Sequence, residues 1–265
     1  MTPKISAILI TKNEILNIED CLVSLKNCVD EIIIVDSQST DGTVELATAL
    51  GAHVTQTTDW PGFGPQKNRA LDLATGQWVL SIDADERLTP ELITEIQARI
   101  ANPRDIVCFS IPRLSQYCGK FIHHSGWRPD YVDRLFLRNQ ARFSDHLVHE
   151  RLLPFGKVER LTHSLIHFSY RNFEQVIEKV NTYSTLGAQQ AFKEGKSSSV
   201  ASAISHGTWA FFRTYVLRLG FLDGWHGLAL AISNGQASYY KYIKLLHLIQ
   251  IKKKSSAIGS ADDVL

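Results

Sequence analysis

Two aspartates one residue apart, Asp83 and Asp85, directly follow the apolar run Trp78-Val79-Leu80-Ser81-Ile82. Side chains alternate along a strand, so both carboxylates can face one side just past its end. Two hard oxygen ligands in that place suit Mg2+ or Mn2+, bridging to phosphate oxygens with water completing the shell. The chemistry implied is a divalent-cation site for a nucleoside diphosphate. The competing reading is a pair of surface acids that cap the next helix, and the apolar strand in front of them weighs against it. A zinc site at His146-x-x-His149 is not expected, because only two ligands are evident and the spacing is one residue short of the metalloprotease pattern. Cys21, Cys28, Cys108 and Cys118 form no CxxC pair, so no metal cluster is expected of them either.

The acids need elements to position them, and the flanking sequence supplies an alternation. Ile5 to Ile10 and Glu31 to Asp36 are short apolar runs of the kind buried on both faces of a parallel sheet. Between them, Ile15, Ile18, Cys21, Leu22 and Leu25 recur at helical spacing over Glu14 to Cys28. A second helix spans Thr43 to Leu50, capped by Ser39 or Thr40 and stopped by Gly51, and leads to a weak strand at His53 to Gln56. A third covers Gln66 to Leu73, followed by a strand from Gln77 to Asp83 and a helix starting at Thr89-Pro90. This pattern predicts an α/β fold with a mostly parallel, doubly wound sheet. Ligands of such sheets bind beyond the carboxyl ends of the strands. Those ends are Thr11-Lys12-Asn13-Glu14, Asp36 to Asp41, and Asp83 to Glu86, three loops rich in acids and small polar groups. Past Pro103, strands are expected at Ile106 to Arg113 and Asp133 to Asn139, separated by an aromatic and basic loop. From Phe173 onward the chain reads as helical, with a break at Lys196 to Ser199 and a turn at Gly220 to Gly224.

The chain has 265 residues, enough for a substantial core. Its 28 Lys and Arg against 27 Asp and Glu exclude a surface that grips nucleic acid throughout. No secretory signal and no run long and apolar enough to span a membrane are visible, so the cytoplasm is the expected compartment.

With these residues in view, the sequence resembles the family 2 glycosyltransferases of GT-A fold. The likeness lies at Ser6 to Glu14, at Ile34-Val35-Asp36-Ser37-Gln38-Ser39-Thr40-Asp41-Gly42-Thr43, and at Asp83-Ala84-Asp85-Glu86, and covers residues 4 to 170. Within the family, Gln66-Lys67-Asn68-Arg69, Ser125-Gly126-Trp127, Asp133-Arg134-Leu135-Phe136 and Val148-His149-Glu150-Arg151 resemble the bacterial β-1,4-glucosyltransferases of lipopolysaccharide or lipooligosaccharide cores. The resemblance implies a GT-A catalytic domain over 1–170, with a nucleotide-sugar half to about 103 and an acceptor half from 104, and a helical region over 171–265 with a flexible tail.

It also implies roles. Thr11, Asn13, Glu14, Asp36, Ser39, Lys67, Arg69, Asp83 and Ala84 would form the nucleotide-sugar site, with Asp36 accepting from the uracil N3–H and Lys67 and Arg69 meeting the nucleotide's charge. Asp85, Asp83 and His167 would hold Mg2+ or Mn2+. An inverting transfer needs a carboxylate that takes the acceptor hydroxyl proton, and the family's pattern points to Glu150. His149 would touch the diphosphate or the acceptor. Trp127, Arg128, Tyr131 and Arg134 combine flat rings with guanidinium forks that suit an acceptor saccharide, against a reading of local packing. The donor implied is UDP-glucose, and the acceptor a lipid-linked saccharide. Read from the residues themselves, Trp209, Phe211, Phe212, Tyr215, Phe221, Trp225, Tyr239, Tyr240 and Tyr242 beside Arg213, Arg218, Lys241, Lys244 and Lys252-Lys253-Lys254 suit an anionic membrane interface, hence a peripheral place on the inner face of the cytoplasmic membrane, against a reading as a helical appendage packed on the catalytic domain with the aromatics as its core. A sugar nucleotidyltransferase is the first alternative, opposed by the absence of Gly in Thr11 to Glu14. A non-catalytic saccharide-binding protein is the second, opposed by the intact acids.

Overall fold

The computed structural model describes residues 4–144 and 151–259. The chain divides into two compact units, Met1–Ser115 with Pro129–Phe168, and Gln116–Arg128 with Ser169–Leu265.

The first unit opens on the alternation that the sequence requires: β1 (Ile5–Thr11), α1 (Ile15–Leu25), β2 (Glu31–Asp36), α2 (Thr43–Ala49), β3 (His53–Gln56), α3 (Phe63–Leu73) and β4 (Trp78–Ser81). β1 lies between β2 and β4, parallel to both, and Thr11 is in register with Asp36. β5 (Glu86–Arg87) and α4 (Pro90–Ala101) follow, then β6 (Ile106–Tyr117), β7 (Lys120–Phe121), β8 (Tyr131–Leu137), β9 (Ala141–Phe143), β10 (Leu152–Pro154), β11 (Lys157–Arg160) and β12 (Leu165–Tyr170). The main sheet runs β3-β2-β1-β4-β8-β6-β12-β5, and β9 pairs with β10 apart from it. β8 is antiparallel to both β4 and β6. This is an α/β fold.

Burial on both faces explains the continuous apolar runs. Ala7 and Leu9 pack with Ile18, Leu22 and Leu25 of α1 and with Leu92, Ile96 and Ile100 of α4. Ile8, between them in sequence, packs on the opposite face with Ala70 and Leu71 of α3. Trp78, Phe109 and Phe136 are fully buried and fill the middle of the sheet. Several boundaries and one cap differ from those read in the sequence, among them β6, which runs on to Tyr117, and β8, which starts at Tyr131. β4 stops at Ser81, where Ile82 still donates its amide to the Ile8 carbonyl of β1 at 3.1 Å, and Asp83 to Asp85 lie past that last bond. α3 starts three residues earlier, at Phe63, since Pro65 fits a first helical turn. α2 has no side-chain cap: Gly42 precedes it with φ +95°, and Ser39 is bound elsewhere.

The second unit is chiefly α5 (Phe173–Lys193), α6 (Val200–Phe212) and α7 (Trp225–Gly259). Asn172 caps α5 by accepting from the Gln175 amide, and Ser199 caps α6 by accepting from Ser202. α6 ends in one π turn, Arg213–Leu217, and a short 3-10 segment at Gly220–Asp223 leads into α7. Among the described residues no helix is long and apolar enough to cross a membrane.

Candidate active site

The carboxyl end of β2 is built around Asp36. Its carboxylate is buried and accepts from Thr11 Oγ1 at 2.8 Å, the Ser39 amide at 2.8 Å, Ser39 Oγ at 2.5 Å and Gln56 Nε2 at 3.4 Å. Ser39 Oγ in turn accepts from the Asn13 amide at 2.7 Å, and Asn13 Oδ1 from the Thr40 amide at 2.9 Å. Asn13 sits at φ +57°, where Asn is among the few side chains tolerated. Glu14 is held through its amide to Thr43 Oγ1 at 2.8 Å, and its carboxylate accepts from Asn17 Nδ2 at 2.7 Å. Asp36 therefore welds the first two loops together. Both its oxygens accept from groups of the chain itself.

The second feature is a chain of alternating charges at the Asp-x-Asp motif. Lys67, on α3 and nearly buried, lies 3.2 Å from Asp83 Oδ1, and Arg134 NH2, on β8, lies 2.5 Å from Asp83 Oδ2. Arg134 also reaches Glu86 Oε1 at 2.6 Å, Arg113 NH1 comes within 3.6 Å of the same oxygen, and Arg113 pairs onward with Asp130 at 2.7 Å. Glu86 is fully buried, and its Oε2 accepts from the Asp83 amide at 2.9 Å, closing the turn on itself. Burial pushes the Asp83 carboxyl up, but Arg134 and then Lys67 outweigh it and hold it well below the usual carboxylate range. Burial pulls Arg134 down, and Asp83 with Glu86 more than reverses this, leaving it above its ordinary value. Arg134 is thus buried against two carboxylates.

Asp85 takes the opposite character. Antiparallel pairing of β12 with β5 sets His167 beside Glu86, and the Phe168 amide donates to the Asp85 carbonyl at 2.9 Å. His167 Nε2 then lies 3.4 Å from Asp85 Oδ2, while its Nδ1 meets Ser115 Oγ at 2.9 Å. A carboxylate and an imidazole converge, the imidazole oriented by a hydroxyl behind it. Among the described residues no three His, Cys, Asp or Glu side chains gather into a complete metal cage. Asp85 and His167 would be the two protein donors to a divalent cation, and the imidazole suits Mn2+ better than Mg2+. Asp83, neutralised by two cations, is a weaker donor for that ion than Asp85.

The remaining predicted residues separate. Arg69 pairs with Asp59 through two bonds of 2.9 and 2.6 Å and with Gln66 Oε1 at 3.0 Å. Ala84 is buried, and its carbonyl accepts from Arg87 at 2.6 Å. Tyr131 lies on β8 with the Arg160 guanidinium 4.5 Å above its ring. Trp127 and Arg128 belong to the second unit, where Trp127 meets Tyr117 edge-to-face at 5.8 Å and stacks on Tyr170 at 6.2 Å. Its ring is thus part of a local aromatic cluster. His149 and Glu150 lie outside the described residues. Glu86, Arg113 and Ser115 were not singled out from the sequence. The one visible signal was charged residues inside strand patterns, Arg113 and Arg134 among apolar neighbours.

Comparison with known proteins follows this geometry closely in extent. Residues 6–161 match the model of glycosyl transferase family 2, a span that includes β1 from its second residue, the Asp36 loops, Asp83 to Glu86 and Arg134. An uncharacterized glycosyltransferase of Rickettsia bellii is 33% identical over 265 residues, covering 94% of this chain and 88% of its own. The lipopolysaccharide core biosynthesis glycosyltransferase LpsC of Rhizobium meliloti is 32% identical over 280 residues, covering 100% of this chain and 99% of its own. Among solved structures, the glucosyl-3-phosphoglycerate synthase of Mycobacterium tuberculosis, in complex with Mn2+, UDP and glucosyl-3-phosphoglycerate, matches with 28% identity and a TM-score of 0.37. That match spans 43% of this chain and 44% of the synthase chain. The α/β sheet, the family match through its strands and the full-length relatives agree: this chain belongs to glycosyl transferase family 2 and has its GT-A fold.

Proposed function

We propose that this glycosyltransferase is an inverting, divalent-cation-dependent hexosyltransferase that moves glucose from UDP-glucose to a lipid-linked saccharide of the lipopolysaccharide inner-core type. The observation that carries the reading is the convergence of Asp85 and His167, 3.4 Å apart, beside an Asp83 already neutralised by Lys67 and Arg134. The two acids thereby divide the work. Asp85 with His167 holds the cation, which when bound offsets charge on the departing diphosphate. Asp83, ionised but screened, is suited to accept a hydrogen bond from ribose hydroxyls without repelling the phosphates. Thr11, Asn13, Glu14 and Ser39 line the base and ribose side, in loops that Asp36 holds in place. Glu150 takes the acceptor hydroxyl proton as that oxygen attacks the anomeric carbon from the face opposite UDP, and the carbon–oxygen bond to UDP breaks with its electrons leaving on the diphosphate. The acceptor, on this reading shared with LpsC by name, is lipid-linked, so the chain works at the inner face of the cytoplasmic membrane.

UDP release from UDP-glucose, measured with Mn2+ and a truncated core acceptor, tests this. Asp85→Ala is expected to lose at least about a thousandfold in rate while keeping its melting temperature. Unchanged turnover in that variant removes the cation assignment, and release with a different sugar nucleotide only removes the donor assignment.

A further inference from the structure

The helical unit is built inside out at the turn joining α6 to α7. Ala203, Gly207, Ala210, Gly220, Gly227 and Ala231 face inward. A Cβ on Gly207 would stand 3.0 Å from Tyr239 Cβ, and one on Gly227 would run into the Gly220 carbonyl. Backbones approach this closely only where small residues meet. The large apolar side chains are consequently turned out: Trp225 is 62% exposed, Leu217 56% and Leu222 55%, with Trp209, Phe212 and Phe221 also exposed. Water-soluble helices show the reverse order, small and polar outside and large apolar inside.

Charge identifies what covers this surface. Between Lys196 and Gly259 the sequence holds a single acid, Asp223. It is buried, accepting from the His123 and His124 amides at 3.1 Å each and from Ser125 Oγ at 2.8 Å. Arg213 and Arg218 are exposed at the same turn. Within α6, the turn and α7 no carboxylate is exposed among the described residues, and the neighbouring exposed acid is Glu174 of α5, next to Phe173, whose ring lies 6.2 Å from that of Trp225. A second copy is a poor occupant, because a twofold contact through the turn would gather four arginines, and the turn itself has no exposed acid to pair them. The Lys252-Lys253 run is roughly 40 Å further along α7 and takes no part in the turn.

We propose that the α6–α7 turn docks the protein on an anionic lipid bilayer, with the rings of Trp209, Phe212, Phe221 and Trp225 seated at the interface and Arg213 and Arg218 on the headgroup phosphates. The proposal rests on the membrane-surface reading above and narrows it to the surface of the α6–α7 turn.

The full chain is mixed, without nucleotide or acceptor, with vesicles of phosphatidylcholine or of phosphatidylcholine with one-third phosphatidylglycerol, and sedimented. Binding to the anionic vesicles is expected to exceed binding to neutral ones by at least about tenfold. Phe221→Ser/Leu222→Ser/Trp225→Ser should lose about tenfold, and Arg213→Gln severalfold on the anionic vesicles alone. Brominated lipids should quench a share of wild-type tryptophan emission that disappears in Trp209→Phe/Trp225→Phe, a pair that keeps the bulk of the rings. No binding by the wild type, equal binding by the triple variant, or an undiminished quenched share in the double variant overturns the proposal. A concentration-dependent dimer abolished by the triple variant also overturns it, assigning the patch to a second copy. Vesicle binding requires no transfer, so its failure leaves the UDP-release result standing.

Discussion

Asp83 is committed to protein partners before any ligand arrives, and this sets how it behaves with pH. Its carboxyl is held below the ordinary range because Arg134 and Lys67 outweigh the effect of burial. A carboxylate depressed in the folded state stabilises it above the unfolded value of about 4, and that contribution is lost as pH falls towards the folded value. Asp83→Asn removes the charge at every pH. Its unfolding free energy should therefore fall short of the wild type at pH 7, and the gap should close progressively between about pH 5 and pH 2, as read by urea titrations at each pH. A gap that stays constant would mean that Lys67 and Arg134 do not act through the charge. The same residues show what sequence can carry at this scale. Asp83 and Asp85 were legible because an apolar strand runs into them. Glu86 was not, since its role depends on Arg134 from β8 and Arg113 from β6, whose register against β4 and β5 is fixed only by the assembled sheet. Asp36 was legible as a polar residue at the carboxyl end of β2, but its hydrogen bonds were not, because its partners come from β1, β3 and the loop after β2.

At the level of elements, β2 and β3 have the bounds that the sequence predicts, and the helical pattern from Phe173 with its break at Lys196 to Ser199 is also observed. These are segments whose own periodicity or capping decides them. β5 and β9 to β12 went unread because they are short or amphipathic in no clear period, and pairing rather than propensity defines them. The entry to β4 combines both kinds of information. Gly76 passes so close to β1 that its amide donates to Ser6 Oγ at 2.7 Å. A Cβ there would lie 2.5 Å from that oxygen, 2.8 Å from the Ser6 amide nitrogen and 3.0 Å from the Lys4 carbonyl. Two of those neighbours are backbone and cannot swing aside. Gly76→Ala should accordingly destabilise the fold by about 2 kcal/mol, as overpacking does, seen as a lower urea midpoint with an unchanged slope. An unaltered midpoint would show that β1 and β4 are further apart than the ladder indicates.

Across the whole molecule charge is unevenly distributed: the first 195 residues carry 20 Lys and Arg against 24 Asp and Glu, and the last 70 carry 8 against 3. An anionic surface repels the first stretch and attracts the second, so approach is steered before any side chain inserts. Steering and insertion respond differently to salt. The screening length falls from roughly 10 Å at 0.1 M to roughly 3 Å at 1 M, which weakens attraction at a distance, whereas rings already seated among lipids feel little of it. Stopped-flow mixing with phosphatidylglycerol-containing vesicles should therefore show association slowing by at least about tenfold between about 0.05 and 0.5 M salt, while dissociation changes by less than about twofold. The Phe221→Ser/Leu222→Ser/Trp225→Ser chain should invert this, keeping the salt-dependent association and dissociating at least about tenfold faster. If salt instead accelerated wild-type dissociation as strongly as it slowed association, the contact would be electrostatic throughout and the exposed rings would have to be explained by some other partner.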